Sequence, residues 1–272
     1  MRALGFGVIV ALGVALATTH MLEPLVSRLV FQPTPGADLS PEALGIEAEA
    51  LTLRSDDGVR LHAFFLPGDP PSRRSLLFLH GNAGNASHRL PNAAALARLG
   101  TDVLLLDYRG YGLSEGRPSE AGVVADARAA LDHLLHRRGT PRERVVLFGR
   151  SLGGAVAVAL AGDGPLGGVI LESTFSSLSD LARQVAGPVG SLLVRGRFDS
   201  LAQIPAVRAP LLFFHGDRDE IVDQGLGRRL YEAAPGPKAF EVIHGAGHND
   251  TVEVGGLPYL ARIRRFLDEV VP

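Results

Sequence analysis

Gly149-Arg150-Ser151-Leu152-Gly153-Gly154 is the motif from which the architecture of this chain can be worked out. It follows the apolar run Val145–Phe148, typical of a buried strand, and precedes Ala155–Ala161, typical of a helix. A serine on a tight strand-to-helix turn, with glycines two residues before and two after, matches the G-x-S-x-G nucleophile elbow. Such a turn is strained for a residue with a Cβ, and strand and helix pass so closely that the flanking glycine positions tolerate almost no side chain. Ser151 is therefore a candidate nucleophile.

Length and composition indicate a folded globular protein without cysteine chemistry. The chain has 272 residues, of which 46% are hydrophobic and 21% are charged, which is enough for one large core. A net charge of −2 gives no reason to expect nucleic acid as a partner. Because the sequence contains no cysteine, disulfides, thiolate catalysis and cysteine-ligated metals are excluded. With 33 glycines, the elbow pattern arises easily by chance, so the partners of the serine must decide its role.

After residue 75, short apolar runs alternate with helical patterns. The apolar runs have the character of strands buried on both faces, and they are Leu76–Leu79, Val103–Leu106, Val145–Phe148, Val169–Leu171, Leu211–Phe214 and Ala239–Ile243. The helical patterns are Pro91–Leu99, Ala121–Arg138, the segment after Ser151, Leu226–Ala234 and Pro258–Val270. This alternation predicts an α/β fold with a mostly parallel central sheet and helices on both faces.

Two strand-like runs before residue 67 predict an antiparallel hairpin at one edge of that sheet. Ala48–Arg54 and Arg60–Leu66 are separated by Asp56-Asp57-Gly58, and Asp-Gly between strands is a strong hairpin signal. Upstream, Phe31-Gln32-Pro33-Thr34-Pro35-Gly36 has the proline and glycine content of a linker. We therefore expect the globular domain to occupy residues 31–272.

Residues 1–30 contain a long uncharged segment. Ala3–Leu22 carries no formal charge and, as a helix, is long enough to span roughly 30 Å of hydrocarbon. The favoured interpretation is a single transmembrane helix that anchors the protein to a membrane. Two alternatives remain: a signal peptide cleaved near Ala15-Leu16-Ala17, which predicts a secreted or periplasmic protein, and a buried helix of the fold.

Between residues 173 and 210 the alternation of strands and helices breaks. Leu178–Ala182 and Gly190–Val194 have the pattern of short helices, with Gly187-Pro188 between them. An insertion of this size after a sheet strand is consistent with a small lid over a binding site. An ordinary crossover with one extra helix explains the pattern equally well.

A serine hydroxyl is a poor nucleophile at neutral pH and needs an adjacent base. His248 lies in Gly245-Ala246-Gly247-His248-Asn249-Asp250, directly after the last predicted strand. In a parallel sheet that loop emerges at the carboxyl edge, where the elbow also opens. His244 is the rival base, but its place at the end of the strand favours a packing role. The loop therefore favours His248.

The acid that would orient the base also belongs on a loop after a strand. The stretch that follows Leu211–Phe214 offers Asp217, Asp219 and Glu220, and Glu172 ends an earlier predicted strand. Spacing alone does not separate these four candidates. All of them keep the order serine, acid, histidine, which is the order of α/β-hydrolases rather than of chymotrypsin or subtilisin.

A glycine-rich turn is a candidate for stabilising negative charge. His80-Gly81-Asn82-Ala83-Gly84-Asn85 follows the predicted strand Leu76–Leu79. Backbone N–H groups of such a turn, together with the N–H of Leu152, can face a developing oxyanion. A phosphate-binding loop is disfavoured because the sequence lacks the G-x-x-x-x-G-K-[S/T] pattern.

Four of these stretches together resemble the α/β-hydrolase superfamily, over nearly the whole chain from about Phe31 onward. Within it they resemble a subgroup that has a short N-terminal hydrophobic segment and includes membrane-associated protein depalmitoylases. The stretches are Leu79–Asn85, Asp107–Gly112, Gly149–Gly154 and Gly245–Asp250.

The resemblance implies specific roles for several residues. The family pattern H-G-x-x-D-x-x-V falls on His215–Val222 and implies that Asp219 is the acid of a catalytic triad. It likewise implies that His248 is the base, and that the N–H groups of Asn82 and Leu152 form the oxyanion hole. His244 departs from the family pattern, where a residue that does not ionise is expected.

The combined interpretation is a serine hydrolase that cleaves a carboxylic ester or thioester through an acyl-enzyme on Ser151. The expected substrate is a small molecule or an acyl chain on a lipid or protein, and no cofactor or metal is expected. An aminopeptidase-like peptide hydrolase is the enzymatic alternative. A catalytically silent α/β-hydrolase fold used for binding is the alternative from another class.

Overall fold

An eight-stranded sheet runs through the middle of the protein. The structure is a computed structural model that describes residues 27–28, 30–71 and 73–272. Its strands are β1 (Gln32–Pro33), β2 (Glu49–Arg54), β3 (Arg60–Leu66), β4 (Ser75–Leu79), β5 (Ala83–Gly84), β6 (Asp102–Leu106), β7 (Val145–Arg150), β8 (Gly168–Glu172), β9 (Leu211–Gly216) and β10 (Lys238–Ile243). In the large sheet the order is β10-β9-β8-β7-β4-β6-β3-β2, and β1 pairs with β5 separately.

Neighbouring strands from β10 to β6 pair in parallel, whereas β3 pairs antiparallel with both β6 and β2. The hairpin predicted around Asp56-Asp57-Gly58 therefore forms the antiparallel edge of the sheet. The helices are α1 (Leu90–Ala97), α2 (Glu120–Asp132), α3 (Leu152–Ala161), α4 (Leu178–Leu193), α5 (Ser200–Gln203), α6 (Gln224–Ala233) and α7 (Thr251–Val270).

Two hydrophobic cores lie on opposite faces of the sheet. Side chains alternate along β7, so that Val145 and Leu147 belong to one core and Val146 and Phe148 to the other. Helices α2 and α3 contribute to the first core, and α1 and α7 contribute to the second. The predicted α/β fold, with a mostly parallel sheet, an antiparallel N-terminal hairpin and helices on both faces, is confirmed.

The elbow between β7 and α3 depends on glycines that allow backbone to approach backbone. Ser151 has φ 53° and ψ −117°, a conformation that residues with a Cβ rarely adopt. A Cβ at Gly149 would lie 2.5 Å from the carbonyl oxygen of Gly153, and one at Gly153 would lie 2.0 Å from that of Leu79. The N-terminus of α3 therefore rests directly on the end of β4.

A glycine with non-helical backbone angles interrupts each of two helices. In α4 the two short helices predicted there are joined across Gly187, which has φ 65° and ψ −161°. In α7 the helix begins at Thr251 instead of the predicted Pro258, with a kink at Gly256 (φ 52°, ψ −141°). Proline interrupts helix hydrogen bonding, which is why the pattern predicts a break near it. The lid function of the segment 173–210 stays a prediction.

The transmembrane helix predicted for Ala3–Leu22, and the membrane attachment inferred from it, require correction. Across the part of the chain that the structure describes, no helix has both the length and the apolar character needed to cross a bilayer. Ala3–Leu22 itself lies outside the described residues. The prediction rested on the length and the lack of charge of this segment, and these two properties do not distinguish a membrane helix from other apolar segments.

Replacing Gly153 with alanine is expected to lower the free energy of unfolding by about 1–3 kcal/mol. The new methyl group would lie 2.0 Å from the carbonyl oxygen of Leu79 and would force α3 away from β4. Gly162→Ala, near the other end of α3, is the matched control, because its Cβ would meet the Ala159 carbonyl oxygen at an ordinary 3.5 Å. Urea unfolding curves measure both variants. Equal midpoints for the two would contradict the close packing at Gly153.

Candidate active site

Ser151 sits where β7 ends and α3 begins, with its backbone fixed from two sides. Its N–H donates to the carbonyl oxygen of Glu172 at 2.8 Å, and its own carbonyl oxygen accepts from the Thr174 hydroxyl at 2.9 Å. Its side-chain Oγ lies 3.2 Å from Nε2 of His248. This is the distance expected between a nucleophile and its base before substrate binds.

His248 follows β10 in the glycine-containing loop that leads to α7. The residue is buried, with 6% of its surface exposed. Its Nδ1 lies 2.8 Å from Oδ2 of Asp219. Since a carboxylate only accepts hydrogen bonds, Nδ1 carries the proton of the neutral ring, and Nε2 presents its lone pair to Ser151.

Asp219 is held as an anion by donors on both of its oxygens. Burial works against ionisation, but hydrogen bonds from His215, His248 and the N–H of Val222 outweigh it and lower the pKa of Asp219 well below its usual range. Oδ1 accepts from the N–H groups of Ile221 and Val222 at 3.0 and 2.8 Å. The carboxylate therefore has a fixed orientation toward the ring of His248.

His215 is a residue of the site to which the sequence analysis gave no role. It lies one residue before the end of β9 and is almost completely buried. Its Nε2 donates to the carbonyl oxygen of Val222 at 2.9 Å and lies 3.3 Å from Oδ2 of Asp219. It thus holds both ends of the short loop that carries the acid. A histidine at the end of an otherwise apolar buried strand was the sequence signal available for it.

Of the other candidate acids, Glu220 is exposed to solvent, and Asp217 and Glu172 have partners outside the triad. Asp217 is bonded to His244, with Oδ2 2.8 Å from Nδ1, and it also accepts from the N–H of Gly245. Glu172 accepts from Thr251 and lies beside Arg150. The rival base His244 therefore pairs with Asp217 at the protein surface, and the structure brings Ser151, His248 and Asp219 together instead.

Asp217 and Asp219 thus contact histidines, whereas Glu172 contacts Arg150, Thr251 and Tyr259. Among residues 27–28, 30–71 and 73–272, no group of three or more of them is arranged to hold a metal ion. The expectation that the protein needs no cofactor or metal stays a prediction.

The glycine-rich turn after β4 faces the serine. A Cβ at Gly81 would lie 3.4 Å from Cβ of Ser151. The next residue, Asn82, is fixed through its side chain, whose Oδ1 accepts from the Tyr111 hydroxyl at 3.0 Å and from the N–H of Gln32 at 3.2 Å. Its Nδ2 donates to the carbonyl oxygen of Val30. The segment that leads into β1 therefore braces the turn, a contact between residues about 50 positions apart that no local pattern announces.

Two backbone donors of this region have no protein acceptor. Among the hydrogen bonds of the described residues, the N–H groups of Asn82 and Leu152 donate to no protein atom. Leu152 opens α3, where the first N–H groups of a helix are unpaired and the helix dipole favours negative charge. The two donors proposed from the sequence are thus free to bind an anionic oxygen.

His80 supports the same turn as a neutral side chain. Burial lowers the pKa of His80 to about 4, although the nearby carboxylate of Asp107 opposes this shift. Nδ1 donates to the carbonyl oxygen of Gly81 at 2.7 Å, and the ring packs against Tyr108 and Tyr111 with centroids 4.6 and 5.3 Å away. The turn is therefore stiffened by an aromatic cluster that carries no charge at neutral pH.

The chain is similar to known proteins over most of its length. The family model Hydrolase_4, described as "Serine aminopeptidase, S33", matches residues 70–198 and 183–254. The alpha/beta hydrolase domain-containing protein WAV2 of Arabidopsis thaliana is 38% identical over 294 residues, which cover 98% of this chain and 94% of that protein. Protein bem46 of Schizosaccharomyces pombe is 35% identical over 240 residues, which cover 85% of this chain and 80% of that protein.

A solved structure supports the same assignment at the level of fold. The esterase Pf2001 of Pyrococcus furiosus matches with a TM-score of 0.73 at 20% identity, and the match covers 89% of this chain and 100% of that one. Identity this low shows a shared fold only. The family model and the two relatives show more, because each match extends over more than half of the chain. The chain therefore belongs to the Hydrolase_4 family of the α/β-hydrolase superfamily.

Proposed function

We propose that the protein is a serine hydrolase that cleaves carboxylic esters or thioesters through an acyl-enzyme on Ser151. The observation that carries the proposal is the continuous line of contacts from Ser151 Oγ to His248 Nε2 at 3.2 Å and from His248 Nδ1 to Asp219 Oδ2 at 2.8 Å. A serine becomes a nucleophile when a neighbouring histidine can accept its proton. The carboxylate of Asp219 keeps the histidine proton on Nδ1, so that Nε2 is available to accept the proton of Ser151.

In the proposed acylation step, His248 Nε2 takes the proton from Ser151 while Oγ forms a bond to the substrate carbonyl carbon. The carbonyl oxygen becomes an oxyanion, which the N–H groups of Asn82 and Leu152 bind. When the intermediate collapses, the bond to the leaving group breaks and His248 returns the proton to that group. Water then attacks the acyl-enzyme by the same route, which releases the acid and restores the Ser151 hydroxyl.

The surface of α4 supports a further part of the proposal, namely that the substrate carries an apolar acyl chain. Val185, Val189 and Leu192 on this helix are exposed by 76%, 72% and 68% of their surface. Large apolar side chains with this much exposure can mark a binding surface. Gln184 links the helix to the loop that carries the acid, because Nε2 donates to the carbonyl oxygen of Ile221 at 3.4 Å. An apolar surface attached to the acid loop favours a substrate with an apolar acyl chain.

The thioester part of the proposal rests on the sequence resemblance to protein depalmitoylases. Peptide hydrolysis is the second candidate, favoured by the description of the matching family as serine aminopeptidases. The same acyl-enzyme chemistry serves both reactions, so the substrate decides between them. Rates measured on p-nitrophenyl esters, acyl thioesters and aminoacyl anilides under one set of conditions distinguish these activities.

Ser151→Ala is expected to reduce ester hydrolysis at least about 10⁴-fold, because it removes the atom that becomes acylated. Labelling by a fluorophosphonate probe should disappear at the same time. Ser40→Ala is the control, since Ser40 is exposed and its hydroxyl only accepts from the N–H of Ala43. Persistent labelling of the Ser151→Ala variant, located by peptide mass spectrometry, would assign the nucleophile to another residue.

The double variant Val185→Ser, Val189→Ser is expected to lower kcat/KM for a p-nitrophenyl ester of a long acyl chain by about tenfold. The value for p-nitrophenyl acetate should stay the same, because acetate is too short to reach α4. Leu44→Ser is the control, since Leu44 is also an exposed apolar residue, at 38%, and lies in a separate short helical turn. Equal losses on both esters would show that α4 does not bind the acyl chain.

Asp219→Asn is expected to remove stability that the wild type has above about pH 4, where an unfolded aspartate is ionised. The pKa of Asp219 is lower in the folded state than in the unfolded state. The stability that Asp219 contributes is therefore fully present above the pKa of the unfolded state, and it is lost as the pH falls toward the pKa of the folded state. The difference in unfolding free energy between wild type and variant should therefore shrink with decreasing pH.

Urea unfolding at a series of pH values measures this difference. Asp56→Asn, at an exposed position of the hairpin turn, provides the control. A constant difference between Asp219→Asn and wild type from pH 7 to pH 3 would contradict an ionised, hydrogen-bonded Asp219.

A further inference from the structure

A buried ion pair lies directly behind the proposed triad, and the proposed mechanism uses neither of its members. Arg150 and Glu172 are exposed by only 4% and 1%, and Nε of the arginine lies 3.2 Å from Oε1 of the glutamate. Removing two charges from water is costly, and their mutual attraction compensates for it only with good geometry and additional hydrogen bonds. The other contacts of the pair therefore indicate what it does.

Glu172 connects β8 to the first turns of α7. Its Oε1 accepts from the Thr251 hydroxyl at 2.8 Å, and its Oε2 accepts from the Tyr259 hydroxyl. Burial, together with the adjacent carboxylate, raises the pKa of Tyr259 well above its ordinary value, so the phenol stays protonated and donates. Both partners follow the loop of His248 in the chain, which fixes the point where that loop ends.

Arg150 connects β7 to His248 itself. Its guanidinium Nη2 donates to the carbonyl oxygen of His248 at 2.6 Å, and the next residue in the chain is Ser151. The side chain of Arg150 thus links the backbone next to Ser151 to the backbone of His248. The planar guanidinium can hold Glu172 and this carbonyl at once, which a lysine cannot reproduce.

We propose that Arg150 and Glu172 are positioning residues that set the place of His248 relative to Ser151. The inference rests on the proposed function, since it concerns the base of that mechanism. The His248 loop contains two glycines, Gly245 and Gly247, whose backbone freedom must be restricted by contacts from outside the loop. A displacement of a catalytic group by 1 Å lowers rates by about 10²-fold, so such a restraint has a direct effect on turnover.

A second buried ion pair offers a matched comparison. Arg109 and Asp126 are exposed by 7% and 0%, and Nη2 of the arginine lies 2.7 Å from Oδ1 of the aspartate. Their other hydrogen-bond partners lie in the hairpin turn, at Ser55 and Asp57, and not in the proposed triad. If Arg150 and Glu172 contributed only to stability, losing either pair would have the same consequences.

The test compares Glu172→Gln with Asp126→Asn, because each neutralises one buried carboxylate without changing its shape. Glu172→Gln is expected to lower kcat for p-nitrophenyl esters by about 10–100-fold with KM nearly unchanged. Asp126→Asn is expected to lose comparable stability while kcat stays close to wild type. Thr251→Val removes one hydrogen bond of Glu172 and keeps the side-chain shape, so it serves if Glu172→Gln does not fold.

A spectroscopic measurement makes the test independent of turnover. The proton shared by His248 Nδ1 and Asp219 gives a far-downfield signal in ¹H NMR when the pair is held in place, and Asp219→Asn assigns it. Glu172→Gln or Thr251→Val should broaden or shift this signal, and Asp126→Asn should leave it as in wild type. An equal loss of kcat in Glu172→Gln and Asp126→Asn, with the signal unchanged in both, would overturn the positioning role.

Failure of the proposed function gives a different result. In that case the wild type itself would neither hydrolyse esters nor react with a fluorophosphonate at Ser151. The ¹H signal of His248 would still report whether Glu172 and Thr251 hold the loop in place. The two proposals are therefore decided by separate observations.

Discussion

The contact between the N-terminus of α3 and the end of β4 is the constraint on which the rest of the site depends. With no side chain at Gly153, the first turn of the helix lies against the carbonyl oxygen of Leu79. This contact fixes the first turn of the helix, and Ser151 before it, against the turn that follows β4. The neighbouring strands then supply the remaining groups, because the carboxyl ends of parallel strands meet at one edge.

Burial and hydrogen bonding act in opposite directions on the ionisable groups of this edge, and the balance differs from group to group. At Asp219 the donors outweigh burial, so the carboxylate stays charged. At His80 burial prevails and the ring is neutral. Two groups with different charge therefore lie on the two sides of the serine: an anion behind the base, and an uncharged aromatic cluster behind the oxyanion turn.

The sequence predicts those parts of the structure that are encoded by neighbouring residues. Unbroken apolar runs identify the strands, and glycine spacing identifies the elbow, because both are local consequences of packing. The choice of Asp219 over Asp217 required the family resemblance, since both follow the same strand and only the loop geometry separates them. The role of Val30 depends on a hydrogen bond from Asn82, a residue far away in the chain, which no local pattern contains. The transmembrane prediction, which the described residues do not support, relied on the length and lack of charge of Ala3–Leu22, and other apolar segments share both properties.

The position of β10 at the edge of the sheet has a consequence for how activity develops during synthesis. A chain that emerges from the ribosome in order completes the elbow at Ser151 about a hundred residues before His248 appears. Because β10 only adds to β9 at the outer edge, the inner strands can pair before it arrives. Under the proposed mechanism, a nascent chain exposes Ser151 before His248 is available, and hydrolysis begins only when the final strand and α7 have docked. If the proposed triad is correct, the position of β10 and the His248 loop at the end of the chain keeps an unfinished chain inactive.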